Sequence, residues 1–255
     1  DRTYQGKVRH NYILGVYSLY ERLIQEFPDV LFESCASGGA RFDPGMLYYA
    51  PQAWTSDDTD AVERIKIQYG TSYVYPLSSM GSHVSASPNH QIFRSTSLET
   101  RGNVAYFGTF GYELDITKLT EKELEQMKEQ ITFMKQHRDL IQKGEFYRLE
   151  SPFKGNQAAW EVVAKDGSEG LMAYFRVRQP IQGKLERIYF SGLEETKAYE
   201  VRECFGEKTD FGVHYGDELM YVGFSVSDCS SGLVGVARTG QGDGYSRLFH
   251  FRKVN

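Results

Sequence analysis

Apolar residues recur at helical spacing in the first part of the chain and alternate with short apolar runs. Between 10 and 27, the apolar side chains fall on one face of a predicted helix: Ile13, Val16, Tyr17, Tyr20, Leu23, Ile24 and Phe27. A second helix is predicted over 59–70, with Thr59 or a neighbour as its N-cap and Gly70 as its end. A third helix is predicted over 96–107.

The pattern changes at Gly144. The clearest helix of the chain comes just before it, beginning at Thr120, which can form a capping box with Glu123. Beyond it, apolar and polar residues alternate in AAWEVVA, LMAYFRV, KLERIYF, AYEVREC, LMYVGF and RLFHF, separated by turn sequences such as KDGSEG and GQGDG. These patterns predict an antiparallel β-sandwich domain over residues 145–255.

Three short segments between the helices are predicted to be strands. They are VLF at 30–32, QAWTS at 52–56 and the segment 80–84, and the all-apolar first run is typical of a parallel strand buried on both faces. The alternation predicts an α/β arrangement, but three strand–helix units are fewer than the eight of a closed barrel. We therefore predict that residues 1–144 are the C-terminal portion of a (β/α)8 barrel whose first part precedes the chain.

Composition excludes several classes of partner. The 255 residues carry a net charge of −5, which argues against a nucleic-acid or anionic-membrane partner. No apolar run approaches the roughly 20 residues that span a bilayer. The three cysteines, Cys35, Cys204 and Cys229, are too few and too scattered for a disulfide framework or a metal site. We expect a cytoplasmic protein without a metal or another cofactor; a secreted bacterial enzyme with the same cysteine pattern is the alternative.

The stretch ESCASGGARFD follows the first predicted strand, where parallel barrels place their chemistry. Gly38 and Gly39 would let the backbone approach a ligand closely. Arg41 offers a planar fork for hydroxyls or carboxylates, and Cys35 a small, weakly polar wall. The structural alternative is a glycine turn that closes the strand, with Arg41 paired to Asp43.

The stretch WTSDDTD follows the second predicted strand and crowds three carboxylates into four positions. Asp58, Thr59 and Asp60 lie where a helix begins, so they can cap free N–H groups and complement the helix dipole. Asp57, at the strand end, has no such duty. Crowded carboxyl groups hold protons more tightly than isolated ones, which suits proton donation to a glycosidic oxygen. Asp57 is therefore a candidate general acid.

The remaining candidates carry weaker signals. Cys35 has no histidine nearby in sequence to act as its base, which disfavours a nucleophilic role. Trp54 could stack on a sugar ring, although a tryptophan on a barrel strand is more often part of the core. His83 and His90 flank a loop rich in serine and asparagine, and His10 lies near the start of the first predicted helix.

The run FPDVLFESCASGGARFDPGMLYYAPQAWTSDDTDAVERIKIQYGTS resembles glycoside hydrolase family thirty-six, whose best-known members are bacterial α-galactosidases. The resemblance is dense over residues 7–115. It rests on the C-x-x-G-x-x-R-x-D loop, the W-x-S-D-x-T-D segment and the flanking GMLYY and IQYGTS. It implies a (β/α)8 catalytic barrel, a retaining double displacement and release of terminal α-galactose from raffinose-type oligosaccharides or melibiose.

Carried over by residue, the resemblance implies the acid/base role for Asp57. It implies contacts to the galactose hydroxyls for the loop with Cys35 and Gly38, and a loop-shaping role for Arg41 and Asp43. The predicted substrate-binding set is Cys35, Gly38, Gly39, Arg41 and Trp54. The family's nucleophilic aspartate lies in a K-W-D-M-N type segment that this sequence lacks, so we expect it shortly before the first residue.

Two alternatives to a retaining α-galactosidase remain open on the sequence. A relative that transfers galactose to another sugar would use the same two carboxylates. A fragment that only binds carbohydrate, or only provides oligomer contacts through its β-rich part, would need neither. The resemblance also implies a homo-oligomer for the intact enzyme, with α-galactoside oligosaccharides as its ligands.

Overall fold

The computed structural model describes residues 2–180, 187–205, 210–226 and 242–254 of the chain. Its helices are α1 (Arg2–Glu26), α2 (Pro44–Tyr49), α3 (Ala61–Thr71), α4 (Leu98–Ala105) and α5 (Glu121–Lys143). The first four strands are β1 (Glu33–Ser34), β2 (Gln52–Ala53), β3 (Gly81–Ser85) and β4 (Thr109–Glu113). Cys229 lies outside the described residues. Within the described ranges, no helix is both long and apolar enough to cross a membrane.

Helix α1 uses the apolar face that the periodicity predicts, except that the helix ends at Glu26 and Phe27 beyond it is 51% exposed. Its half-buried side chains on that face are Ile13, Val16, Tyr17, Tyr20, Leu23 and Ile24. The ring of Tyr17 lies 5.5 Å from that of Tyr49 on α2, and the ring of Tyr20 lies 6.0 Å from that of Phe32. This face therefore holds α1 against the segments that flank β1.

The predicted strand at 30–32 is wrong. Strand β1 begins only at Glu33, which lies opposite Gln52 of β2, and Leu31 exposes 88% of its surface. A short apolar run does not by itself distinguish a buried strand from a connecting segment. The predicted strand at 52–56 is shorter in the structure, since β2 ends at Ala53 and leaves Asp57 on the turn that follows; the segment 80–84 corresponds to β3.

The structure adds two elements that the sequence patterns do not indicate. Helix α2 begins with Pro44 after Asp43, whose side chain accepts a hydrogen bond of 2.8 Å from the N–H of Met46. Strand β4 pairs in parallel with β3, beginning with Thr109 opposite Gly81. Four strand–helix units therefore follow α1, and the expectation of three is wrong.

The four strands follow one another in chain order. Strands β1 and β2 pair in parallel, as do β3 and β4, and a parallel bridge between Ala53 and Met80 joins the two pairs. The parallel α/β arrangement is thus confirmed, while closure into a barrel stays a prediction. Because the strands are parallel, the residues that follow β1 and β2 come together at one edge.

The helix boundaries follow their predicted signals. Thr120 and Glu123 form both halves of the capping box of α5, and Gly144 ends that helix. Helix α3 is capped by Asp60, a neighbour of Thr59, and it runs one residue past its predicted end at Gly70.

An antiparallel sheet of six strands forms the second part of the chain. These strands are β5 (Glu145–Glu150), β6 (Gln157–Val163), β7 (Glu169–Arg176), β9 (Ala198–Glu203), β10 (Asp210–Tyr215) and β12 (Tyr245–Lys253). Their order across the sheet is β10-β9-β12-β7-β6-β5. Strands β8 (Arg187–Ile188) and β11 (Phe224–Ser225) form a separate antiparallel pair. The antiparallel architecture is confirmed. The sandwich arrangement stays a prediction.

Both faces of the six-stranded sheet are buried. Trp160 and Leu171 on one face belong to the same hydrophobic cluster as Ile65 of α3 and Phe133 of α5. The opposite face packs its own cluster against β8 and β11. Since one cluster spans both parts of the chain, the boundary at residues 144 and 145 stays a prediction.

Glu161 is a fully buried carboxyl group on the second strand from one edge of this sheet. It exposes 0% of its surface on β6, and its Oε1 accepts a hydrogen bond of 2.6 Å from the N–H of Ser191. Its Oε2 is buried without a hydrogen-bond partner among the described residues. Burial raises the pKa of Glu161 well above the usual 4.5, and the hydrogen bond from Ser191 only partly opposes this.

We predict that the free energy of unfolding of the Glu161→Gln variant, relative to that of the unmodified protein, increases as the pH rises. Above pH 4.5 the unfolded chain releases the Glu161 proton while the folded protein keeps it, so the free energy of unfolding falls with pH until the folded pKa is reached. A glutamine removes this loss, which amounts to about 1.4 kcal/mol per pH unit for one proton.

Urea unfolding of both proteins between about pH 4.5 and 8 measures the effect. The matched control is Glu129→Gln, because Glu129 is exposed on α5. A difference between Glu161→Gln and the unmodified protein that stays constant with pH would contradict the prediction.

Candidate active site

The loop after β1 lies directly against the end of β2. The N–H of Trp54 donates to the carbonyl of Ser34 at 3.1 Å, and the N–H of Gly39 donates to the carbonyl of Thr55 at 3.1 Å. The two stretches that the sequence singled out are therefore in contact. They form one edge of the parallel strands, as their positions after adjacent strands predict.

Two glycines permit this contact. Gly38 has a φ of +70°, and a Cβ atom there would lie 2.7 Å from the Cα of Ser56 and 3.0 Å from the nitrogen of Asp57. A Cβ at Gly39 would lie 2.9 Å from the carbonyl oxygen of Thr55. Their small size thus serves a contact within the protein, between the loop and the strand end. The predicted approach of their backbone to a ligand stays a prediction.

The three carboxylates of the SDDTD turn have different environments. Asp60 is buried and caps α3, accepting from the N–H groups of Val62 at 3.1 Å and Glu63 at 3.0 Å. Asp58 is half-buried, and its Oδ1 accepts from the N–H of Asp60 at 3.0 Å. The Asp57 side chain is exposed and makes no hydrogen bond or ion pair with the described residues. The turn therefore uses two carboxylates for its own structure and presents the third to solvent.

A loop after β3 holds this turn in place. Asn89 Nδ2 donates to Thr59 Oγ1 at 3.0 Å, and Gln91 Nε2 donates to the backbone carbonyl of Asp57 at 3.2 Å. The Arg94 guanidinium forms an ion pair with the buried Asp60. These contacts fix the backbone of Asp57 while leaving its carboxylate unoccupied.

Sequence reasoning missed Asn89, Gln91 and Arg94. Of the two histidines singled out beside this loop in the sequence, His83 lies on β3 and His90 is exposed on the loop. The contacts of Asn89, Gln91 and Arg94 with the SDDTD turn span about thirty positions, so no local sequence pattern reports them.

Arg41 and Asp43 anchor the loop to α1. Arg41 donates to the hydroxyl of Tyr12 at 2.8 Å and to the carbonyl of Cys35 at 3.0 Å. Tyr17 donates to Asp43 Oδ1 at 3.0 Å, and this hydrogen bond is the main cause of a raised pKa of Tyr17. Within the described part of the chain, no ion pair joins Arg41 to Asp43, so the proposed pairing of these two side chains is wrong. The loop-shaping role that the resemblance implies fits these contacts.

Trp54 and His83 stack on each other beneath this edge. Their rings lie 4.5 Å apart at an angle of 19°, and Trp54 exposes 9% of its surface. The guanidinium of Arg64 also lies over the Trp54 ring, 4.6 Å from its centroid. Burial lowers the pKa of Arg64 to about 10, which leaves it charged at neutral pH.

These contacts give Trp54 and Arg64 a packing role. Arg64 donates to the carbonyls of Ser56 at 3.3 Å and Gly81 at 2.8 Å, so it ties the end of β2 to β3. A stacking contact between Trp54 and a sugar stays a prediction. Cys35 is exposed at the same edge, where it can contact a ligand.

Comparisons with known proteins give the chain its family. Residues 1–144 match the Melibiase family, and residues 157–251 match the glycosyl hydrolase family 36 C-terminal domain. The chain belongs to glycoside hydrolase family thirty-six. This confirms the resemblance carried by the loop and the SDDTD turn.

The relatives are α-galactosidases considerably longer than this chain. Alpha-galactosidase AgaA of Geobacillus stearothermophilus is 54% identical over 230 residues, which cover 90% of this chain and 31% of that protein. Alpha-galactosidase Mel36A of Lactobacillus acidophilus is 42% identical over 254 residues, covering 98% of this chain and 32% of that protein. The chain thus spans about a third of the length of these relatives.

Solved structures of the family share the fold. The α-galactosidase AgaB of Geobacillus stearothermophilus has a TM-score of 0.86 at 51% identity, over 96% of this chain and 31% of that one. A variant of AgaA in complex with raffinose has a TM-score of 0.86 at 51% identity, over 96% of this chain and 32% of that one.

We predict that Gly38→Ala destabilises the edge between the loop and β2. The new Cβ cannot share the space of Ser56 Cα, and the positive φ strains any residue other than glycine. The expected loss in the free energy of unfolding is about 1–3 kcal/mol, measured by denaturant titration.

The control is Gly155→Ala, because Gly155 has open space around it. It should change the free energy of unfolding by no more than about 0.5 kcal/mol. Equal stability of Gly38→Ala and Gly155→Ala would show that the loop does not depend on the close contact.

Proposed function

We propose that this chain supplies the acid/base half of the active site of a retaining α-galactosidase. The observation that carries the proposal is the Asp57 carboxylate, exposed on the turn that follows β2 and beside the loop after β1, while its neighbours serve the turn. The names of the relatives support the reaction, since they are α-galactosidases.

Asp57 would act twice in the double displacement. It donates its proton to the glycosidic oxygen as a nucleophile attacks the anomeric carbon, so the leaving sugar departs neutral. The resulting carboxylate then takes a proton from the water that hydrolyses the galactosyl–enzyme. Gln91 fixes the backbone of Asp57 and leaves its carboxylate unpaired. The side chain can therefore reach the substrate, for both the proton donation and the proton abstraction, without breaking a structural contact.

The second carboxylate is proposed to come from outside these 255 residues. Retention needs a nucleophile about 5–5.5 Å from the acid. The chain contains no K-W-D-M-N type segment, and the nearby Asp58 and Asp60 hold the turn and the helix start.

The proposed substrates are terminal α-galactosides of the raffinose type or melibiose. Structures of AgaA variants have been solved in complex with raffinose and with stachyose, which supports this substrate class for the present chain. Cys35, Gly38, Gly39, Arg41 and Trp54 are the proposed sugar contacts. A homo-oligomeric state of the intact enzyme and a cytoplasmic location also remain proposals.

We predict that Asp57→Ala in the intact enzyme abolishes hydrolysis of natural sugars, whose poor leaving groups need protonation. It should spare the first step with a dinitrophenyl galactoside, so that the galactosyl–enzyme accumulates. Azide needs no general base and should restore turnover as galactosyl azide. Steady-state kinetics with and without azide, together with product analysis, measure both effects.

Asp58→Ala is the matched control for this experiment. It removes the acceptor of the Asp60 N–H at the entrance to α3, so we expect a loss of about 0.5–2 kcal/mol of stability with much of the activity kept. Azide rescue of the Asp58 variant, with an Asp57 variant that stays inactive, would reverse the assignment.

The 255-residue chain by itself should give no α-galactosidase turnover. Loss of a nucleophile removes several orders of magnitude of rate, and the proposal places that group outside the chain. An assay with an activated aryl α-galactoside decides it, once circular dichroism has verified that the chain is folded. Turnover comparable to that of an intact relative would put both carboxylates within these residues.

A further inference from the structure

A second cluster of potential ligands lies away from the candidate active site. It consists of His137 on α5, Glu169 at the start of β7 and His250 on β12. One ligand atom from each lies within 4.8 Å of the other two. His250 Nε2 and Glu169 Oε2 are 2.9 Å apart.

The fold brings these three side chains together from distant parts of the sequence. His250 lies opposite Leu171 in the antiparallel pairing of β12 and β7, and Glu169 precedes Leu171 by two residues. Both side chains therefore project from the same face of the sheet as Leu171. Leu171 belongs to the cluster that includes α5 residues, so this face is the one that α5 covers, and the His137 ring lies 5.2 Å from that of His250.

We propose that His137, Glu169 and His250 bind a zinc ion. Two imidazole nitrogens and one carboxylate oxygen are a common ligand set for this metal. Around a tetrahedral ion with metal–ligand distances of about 2.0–2.2 Å, two ligand atoms lie about 3.3–3.6 Å apart. From separations of up to 4.8 Å, the cluster needs a closure of about 1.2–1.5 Å, which rotation of these side chains can supply.

An ion pair alone does not account for the arrangement. Glu169 and His250 already complete such a pair, yet His137 adds a second imidazole that forms no hydrogen bond with the described residues. All three side chains are half-buried, which leaves a position for water as a fourth ligand.

The positive charges on the same face do not occupy the carboxylate. Arg202, opposite His250 on β9, is hydrogen-bonded to Glu200. Arg252, opposite Glu169, is exposed, and no hydrogen bond joins it to Glu169 in the described structure.

A bound ion would clamp α5 to the sheet. Its ligands come from the last helix of the strand–helix part and from two central strands of the antiparallel part, so the ion would join both parts of the chain. Because metal binds the folded arrangement and not the dispersed side chains, zinc should raise the thermal stability of the protein.

The test uses the intact protein without a histidine tag, after removal of metals with a chelator. Isothermal titration with Zn²⁺ should give one site per chain and a rise in Tm, whereas Mg²⁺ should give neither. Co²⁺ should give the visible absorption of a four- or five-coordinate ion. His137→Gln, Glu169→Gln and His250→Gln should each weaken zinc binding by about 10–100-fold or more, since even an outer-shell partner contributes that much.

His10→Gln is the control, because His10 is exposed on α1 and far along the chain from the cluster. It should leave zinc binding and the Tm rise unchanged. Thermal unfolding without metal establishes that each ligand variant is folded, and His137→Gln, which changes a helix residue and leaves the strands unaltered, is the variant that disturbs the sheet least. Zinc binding that persists in folded His137→Gln and His250→Gln proteins, or no zinc binding by the unmodified protein, would overturn the proposal.

Discussion

The candidate site depends on the close approach of two backbone segments. Gly38 and Gly39 lie so near the end of β2 that a single added Cβ would overlap Ser56 or Thr55. This contact aligns the loop after β1 with the SDDTD turn, and it sets the position of the Asp57 backbone. Arg41 and Asp43 reinforce the loop from the side of α1.

In the SDDTD turn beside this contact, two carboxylates stabilise the backbone and the third is exposed to solvent. Asp60 is committed to the helix start and to Arg94, and Asp58 to the N–H of Asp60. Gln91 holds the Asp57 backbone without touching its side chain. Catalytic groups work best when their support is rigid and their reactive atoms are unoccupied, and this turn combines the two conditions at adjacent residues.

Local patterns in the sequence predicted the features that depend on near neighbours. Spacings of a few residues predict the capping box of Thr120, the apolar face of α1 and the absence of a capping role for the Asp57 side chain. The apolar run at 30–32 gave a wrong prediction because apolar residues alone do not show whether a neighbouring strand is present to pair with them.

Contacts between residues that are distant in sequence could not be predicted from local patterns. The hydrogen bonds of Asn89 and Gln91 with the turn span about thirty positions, and the pairing of His250 with Glu169 spans more.

The central claim is that Asp57, and not Asp58, faces the glycosidic oxygen. A crystal structure of the intact enzyme carrying Asp57→Asn, with unhydrolysed raffinose bound, tests it most directly. The account predicts that the side-chain amide at position 57 lies within about 2.6–3.2 Å of the glycosidic oxygen while Asp58 keeps the N–H of Asp60. An Asp58 carboxylate at that oxygen, with position 57 turned away from the sugar, would contradict it.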